Sequence, residues 1–203
     1  MTHLEIEVKF YLADLAAMRA KILKLGARSK GRLFETNIRY EDENNSLIRN
    51  KSLLRLRQDE KTTFTLKTSP PVKSKDYKIF NELEVEVSDF AIMGKILETL
   101  GFHPEQKYEK WRETIILDRI FFCLDSMPYG NFLEIEGQEK DIRHYASRIG
   151  LNWSKRILLN YFEIFDIIRK DLNLDFKDLT FNNFETLDVN AAMFLDKLEA
   201  ACA

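Results

Sequence analysis

Charges at alternate positions, sorted by sign, recur through the first two thirds of this 203-residue chain and restrict the folds open to it. They are Glu5, Glu7 and Lys9; Arg55 and Arg57; Lys67; Glu82, Glu84 and Glu86; Lys110 and Arg112; and Glu134 and Glu136. Between them stand Ile6, Val8, Leu56, Leu66, Leu83, Val85, Trp111, Leu133 and Ile135. Each stretch therefore has the period-two alternation of a strand with one apolar and one charged face. In antiparallel sheets the charged face ordinarily meets water. The sorting by sign favours another arrangement, because like charges at i and i+2 lie roughly 6.6 Å apart and repel. Seven Glu against six Lys or Arg at these positions would leave an enclosed interior near neutral yet strongly patterned. Such an interior would take a metal on its acidic side and phosphate on its basic side.

The alternation predicts strands over 3–11, 33–41, 52–58, 62–68, 78–87, 106–116, 120–126 and 130–137. Eight strands suffice to close a barrel. The polar links 42–45, 58–61 and 126–130 suit hairpins, hence a mostly antiparallel sheet. Helices are predicted over 13–25, 89–100 and 139–149, ending at Gly26, Gly101 and Gly150. The first carries Leu15, Met18, Ile22 and Leu25 on one stripe. Helices packed outside a barrel would cover the apolar strand faces. The segment 69–76, with Pro70, Pro71, Lys73 and Lys75, reads as a loop, either a lid or plainly solvated.

From Ser154 as N-cap the pattern turns helical, with Ile157, Leu158, Tyr161, Phe162, Phe165 and Ile168 on one stripe, and a last helix is predicted over 188–200. Phe176, Leu179, Phe181 and Phe184 between them read as packing residues.

Composition removes several functions. A net charge of −2 gives no global attraction to nucleic acid or anionic membrane, so anion binding must be local. Cys123 and Cys202 lie in no CxxC or His-rich context, which indicates neither a disulfide scaffold nor zinc and suits a reducing cytoplasm. No signal peptide is expected at the N-terminus, and no stretch nears eighteen uninterrupted apolar residues. Phosphate-cradling glycine loops are missing, so side chains would have to hold any phosphate. His3, His103 and His144 form no cluster and read as structural or surface residues.

The constellation suits phosphoryl chemistry. Mg²⁺ is commonly held by a few carboxylates together with substrate phosphates. Glu5, Glu7, Glu134 and Glu136 meet that need if the first and last strands lie side by side. Arg55, Arg57, Lys67, Lys110 and Arg112 could clamp a polyphosphate. Phosphoryl transfer needs positioning and charge stabilisation more than a nucleophilic side chain.

Glu5-Ile6-Glu7-Val8-Lys9 resembles the opening signature of the CYTH superfamily, the triphosphate tunnel metalloenzymes, whose namesakes are class IV adenylyl cyclase and thiamine triphosphatase. The resemblance continues through Leu54 to Arg57, Thr65 to Lys67, Glu82 to Glu84, Lys110 to Arg112, Leu124-Asp125 and Gly130 to Glu136. It implies an α+β fold: a closed eight-stranded antiparallel β-barrel, or tunnel, over 1–175 with helices packed outside, and a helical C-terminal extension over 176–203. It also implies a small-molecule triphosphate substrate and Mg²⁺ or Mn²⁺ dependence, without nucleic acid or membrane, and leaves oligomeric state open, a homodimer included. Glu5, Glu7, Glu134 and Glu136 would serve the metal, with Glu82, Glu84 and Asp125 as ligands or supporting contacts. Arg55, Arg57, Lys67, Lys110 and Arg112 would hold phosphates, with Lys9 and Glu136 read as catalytic. Two stretches depart from the pattern: the second strand, Phe34 to Asp42, lacks the expected Gln-x-Asp-x-Tyr-Phe-Asp, and Asn81 stands near where a basic residue often precedes the Glu pair. The activities left open are hydrolysis of tripolyphosphate or a nucleoside or thiamine triphosphate, cyclisation of ATP, and non-catalytic sensing.

Overall fold

The computed structural model describes residues 3–70 and 74–200. Pro71 and Lys73 of the predicted loop, and Cys202, lie outside the described residues. The ordered elements are β1 (His3–Leu12), α1 (Leu15–Leu23), β2 (Arg28–Asp42), α2 (Ser46–Arg49), β3 (Leu53–Gln58), β4 (Thr62–Thr68), β5 (Lys78–Val87), α3 (Phe90–Thr99), β6 (Phe102–Leu117), β7 (Ile120–Met127), β8 (Gly130–Glu136), α4 (Glu139–Arg148), β9 (Arg156–Ile157), α5 (Tyr161–Leu172), α6 (Phe181–Phe184) and α7 (Leu195–Ala200). Turns of 3₁₀ helix span Trp153–Lys155 and Ala191–Phe194.

Every pairing between these strands is antiparallel. The order β5-β4-β3-β2-β6-β7-β8-β1 returns on itself, because β1 pairs with β8 along one edge and with β5 along the other. Eight strands thus form a ring, the eight expected from the alternation. β5 takes only His3 to Glu7 of its edge of β1, and β9 pairs with Lys9 and Phe10 beyond it. β2 and β6 run longer than predicted, pairing from Arg28 to Asp42 across two register shifts. Gly31, at φ +97°, sits in the first of these, where a side chain would be strained.

Polarity is inverted relative to an ordinary small barrel. Val8, Phe10 and Leu12 of β1, Phe122 and Leu124 of β7, and Leu133 and Ile135 of β8 point outward, where Met18 and Ile22 of α1 and Ile142 and Ala146 of α4 bury them. Burial of a large aliphatic or aromatic side chain contributes about 1.5–3 kcal/mol, so this core lies between ring and helices, and the inner face carries the charges, with Tyr108 and Phe132 at the end met by α5. α1 begins at Asp14, whose carboxylate accepts from the Ala17 N–H at 2.8 Å, and the chain turns at Gly26 with φ +91°. Over β2 and β3, α3 buries Leu97 with Tyr40, Leu54 and Leu56.

The helix expected from Ser154 begins instead at Tyr161. Arg156 and Ile157 are drawn into β9 by the open edge of β1, and Asn160 forms a capping box with Glu163 that starts α5. Tyr161, Phe162, Phe165 and Ile168 of the predicted stripe are buried on α5, whereas Ile157 is buried from the strand. The helix expected over 188–200 is divided into the turn Ala191–Phe194, capped by Asn190, and α7. Leu179 and Phe184 pack fully under α5, with Phe176 partly buried beside them, and Leu179 bonds through its backbone to Lys107 and Glu109 of β6 at 2.8 and 2.9 Å.

Candidate functional site

Strand register decides which charges meet. Direct antiparallel partners share a face, and the pairs Glu7–Glu136, Lys9–Glu134, Arg112–Asp125, Glu35–Lys110, Arg39–Arg55, Arg57–Thr63, Thr65–Glu84 and Lys67–Glu82 carry one continuous polar surface around the inside of the ring.

Three of the four carboxylates expected to serve a metal converge. One oxygen from each of Glu5, Glu7 and Glu136 lies within 4.8 Å of the others. Each has a cation at its back: Lys67 for Glu5, Lys78 for Glu7 at 2.8 Å, and Arg112 for Glu136 at 4.0 Å. Burial, reinforced by Glu5, Glu7 and Glu134, holds Glu136 up at about 8 against the pull of Arg112. Burial and Glu7 likewise raise Glu5. Burial opposes the ionised form of Glu7 too, yet Lys78, Lys9 and Lys67 hold it below the ordinary carboxylate range.

Glu134 lies outside that trio. Lys9 reaches it at 3.0 Å and Arg112 also pairs with it, so despite burial its carboxyl is held well below the ordinary value. Asp125, fully buried, accepts from Lys110 at 3.1 Å, from Arg112 at 2.6 Å and from the Tyr161 hydroxyl at 2.6 Å, and so fixes cations. Glu82 pairs with Lys67 at 3.6 Å, and Glu84 with Arg55 and Arg57 at 3.7 and 3.8 Å. Lys9 also donates to the Leu159 carbonyl at 3.0 Å and stands 4.1 Å from the centre of the Tyr161 ring.

Lys67 and Arg112 stand among the carboxylates, whereas Arg55 and Arg57 lie on β3, across the ring from β8. Arg55 donates to the Tyr108 hydroxyl at 3.2 Å and to Thr65 at 3.3 Å, and Arg57 to Thr63 at 3.4 Å. Lys110 and Arg112 stand 3.5 and 4.0 Å from Glu35. Burial disfavours ionised Glu35, but Lys110, Arg112, Arg57 and Arg55 outweigh it and hold its pKa at about 2.

The start of α5 fills the interior beside Lys9 and Asp125. Tyr161 packs edge-on against Phe132 and Phe162 against Tyr108, at centroid separations of 5.5 and 5.1 Å. A cavity of about 340 Å³ remains, with Glu35, Arg57, Glu84, Arg112, Cys123 and Glu136 in its wall. Sequence reading had not included Lys78, Glu35, Cys123 or Tyr161 in this surface. Lys78 carried a usable signal, since it alternates with Glu82 and Glu84 on one strand face. Tyr161 carried none, because docking of the helix places it.

Comparison with known proteins now decides the family: residues 3–163 match the CYTH domain. The chain belongs to the CYTH domain family. This CYTH domain is 26% identical over 140 residues to the "Putative adenylate cyclase" of Methanocaldococcus jannaschii, covering 68% of this chain and 79% of that one. Among solved structures it is similar to a Pyrococcus horikoshii protein at 28% identity and TM-score 0.68, covering 78% of this chain and 98% of the other. A Vibrio parahaemolyticus protein named as a putative adenylate cyclase shares the fold at TM-score 0.70 and 17% identity, covering 82% and 99%. So does a Hippeastrum protein described as a putative adenylyl cyclase with a dominant triphosphatase activity, at TM-score 0.59 and 18% identity, covering 80% and 95%.

Proposed function

We propose that this CYTH domain is a divalent-metal-dependent enzyme acting on a triphosphate within a closed tunnel, and that its reaction is hydrolysis of inorganic tripolyphosphate or of a nucleoside or thiamine triphosphate. One observation carries the reading: three carboxylate oxygens within 4.8 Å of one another on β1 and β8 share the inner face of the ring with Arg55, Arg57, Lys110 and Arg112.

The donor set fits Mg²⁺ or Mn²⁺. It is all oxygen, as hard cations require, and a dication would favour the ionised form of Glu136, which burial, with Glu5, Glu7 and Glu134, holds up at about 8. A bound ion would neutralise charge developing on phosphoryl oxygens. Glu5, Glu7 and Glu136 would hold it, while Lys67, Lys78 and Arg112 keep those carboxylates in place.

Arg55 and Arg57 present guanidinium forks to phosphoryl oxygens from β3. Asp125 holds Arg112 and Lys110 in place from behind, so these cations reach a substrate without reorganising, which is where preorganised electrostatic stabilisation arises. Lys9, engaged by Glu134 and Leu159, is assigned to orienting Glu134 and holding phosphate. Tyr161 and Phe162 exclude water from one side of the interior.

Cyclisation of ATP is the second reading, favoured by the name of the Methanocaldococcus jannaschii relative. Both reactions use the same clamp and differ in nucleophile: water for hydrolysis, the ribose 3′ oxygen for cyclisation. ³¹P NMR of the purified protein with Mg²⁺ or Mn²⁺, offered tripolyphosphate, thiamine triphosphate and ATP separately, tests the proposal. Orthophosphate supports the hydrolase. Pyrophosphate with cyclic AMP from ATP replaces it with the cyclase, and no product from any substrate would leave a non-catalytic sensor.

A further inference from the structure

Buried polar atoms without a hydrogen-bond partner are rare in folded proteins and call for an explanation. Among the described residues such side-chain atoms belong to Glu35, Asn37, Arg39, Glu41, Arg55, Arg57 and Arg156. All but Arg156 lie on β2 or β3. The orphaned oxygens of Glu35 and Glu41 each lie 3.5 Å from a cation, Lys110 and Arg39. Asn37 has no such relief: neither its amide nitrogen nor its amide oxygen has any partner, and the residue is 0% exposed.

Register shows where that amide sits. Asn37 is directly opposite Arg57 on β3 and Tyr108 on β6, and Arg57 belongs to the cavity wall. Along β2 its face continues to Glu35 on one side and Arg39 on the other, with Arg39 opposite Arg55. The Nε–H groups of Arg39 and Arg55 are orphaned as well, whereas that of Arg57 lies 3.4 Å from the Asp59 carboxylate. The Asn37 amide and the Arg39 and Arg55 Nε–H groups, one neutral donor nitrogen and two cationic ones, therefore share one interior wall, an arrangement that suits an anion with several acceptor oxygens.

Resting on the triphosphate reading above, we propose that Asn37, supported by Arg39, extends the phosphate clamp from β3 onto β2 and binds a phosphoryl group directly. The amide nitrogen donates to a phosphoryl oxygen, and the amide oxygen accepts from the adjacent Arg57 guanidinium or from a protonated phosphoryl oxygen. A neutral side chain here adds a donor without the repulsion that a carboxylate would bring to the anion.

Tripolyphosphate titrated calorimetrically into the whole protein in EDTA tests this without turnover, alongside the melting temperature of each ligand-free variant. Asn37→Leu removes two unsatisfied buried polar atoms while keeping the branched side-chain shape. The ligand-free variant is expected to melt higher than wild type, with tripolyphosphate affinity lowered roughly ten-fold or more, the worth of a hydrogen bond to a charged group. Asn37→Asp, which keeps the shape but exchanges the donor for a negative charge, is expected to bind more weakly still, and serves alone if the leucine variant fails to fold. Wild-type affinity in these variants beside a weakened Arg57→Met control would overturn the role of Asn37 and leave the clamp standing. A lower melting temperature with unchanged affinity would make Asn37 purely structural. Absence of binding by the wild-type protein both in EDTA and with Mg²⁺ supplied would remove the triphosphate reading, and this inference with it.

Discussion

Glu7 of β1 and Glu136 of β8 are direct cross-strand partners, their carboxylates turned into the ring with Glu5 beside them. Above about pH 8, where Glu136 is ionised as well as Glu7, like charges in such a pair destabilise a sheet by up to about 1 kcal/mol. Replacing Glu136 by Gln should accordingly raise the melting temperature of the metal-free protein at pH 9 by roughly 2–4 °C for a chain of this size, and by less at pH 7, where Glu136 is largely protonated. The same substitution should abolish the stabilisation given by Mn²⁺ to the wild type, together with metal-dependent turnover. Thermal scans with and without Mn²⁺ check both; an undiminished Mn²⁺ shift would take Glu136 out of the metal site.

Tyr161 ties α5 to the interior through its 2.6 Å bond to Asp125. Tyr161→Phe leaves the ring packing in place and deletes one hydrogen bond to a buried carboxylate, a loss of about 1.5–3 kcal/mol. Because Asp125 also holds Arg112 and Lys110, triphosphate turnover should fall in the folded variant. Activity equal to wild type would mean that Asp125 needs no third partner.

Glu35 should make stability depend on acid. Its pKa is held at about 2 in the fold against an ordinary value of 4.5, so its contribution is fully present above 4.5 and is lost as pH falls toward 2. At neutral pH the difference is on the order of 3 kcal/mol, falling to roughly half by pH 3. Urea denaturation of wild type and Glu35→Gln at pH 7 and pH 3 checks this: the gap between them should narrow on acidification, and a constant gap would contradict the ionic origin.

Phe184 lies beneath α5, with its ring 5.8 Å from Phe165 and 5.4 Å from Phe176. Phe184→Ala should cost about 3–5 kcal/mol without changing the KM of the residual folded protein, since its ring packs on Tyr129, Phe165 and Phe176. Loss of binding at unchanged stability would instead bring the C-terminal segment into the site.

Much of this architecture was legible because a strand alternates with period two. Once Glu5 and Glu7 were placed on one face, Val8 and Phe10 had to lie on the other, and the need to cover that other face called for helices outside. The same alternation named Arg55, Arg57, Lys110, Arg112 and Glu136. Where hydrogen bonding competed with helical periodicity the sequence misled, and Arg156 and Ile157 followed the open edge of β1 rather than the apolar stripe.

The chain alone thus determined which side chains are charged, on which strand face they stand and that the two faces differ. Tertiary structure decided the partners. Ring closure through β1 put Glu136 beside Glu7 while Lys9 and Arg112 took Glu134, and docking of α5 brought Tyr161 to Asp125 across 36 residues of chain. Register, shear and helix docking are properties of the whole sheet, set by the summed packing of its outer face, and no local pattern encodes them.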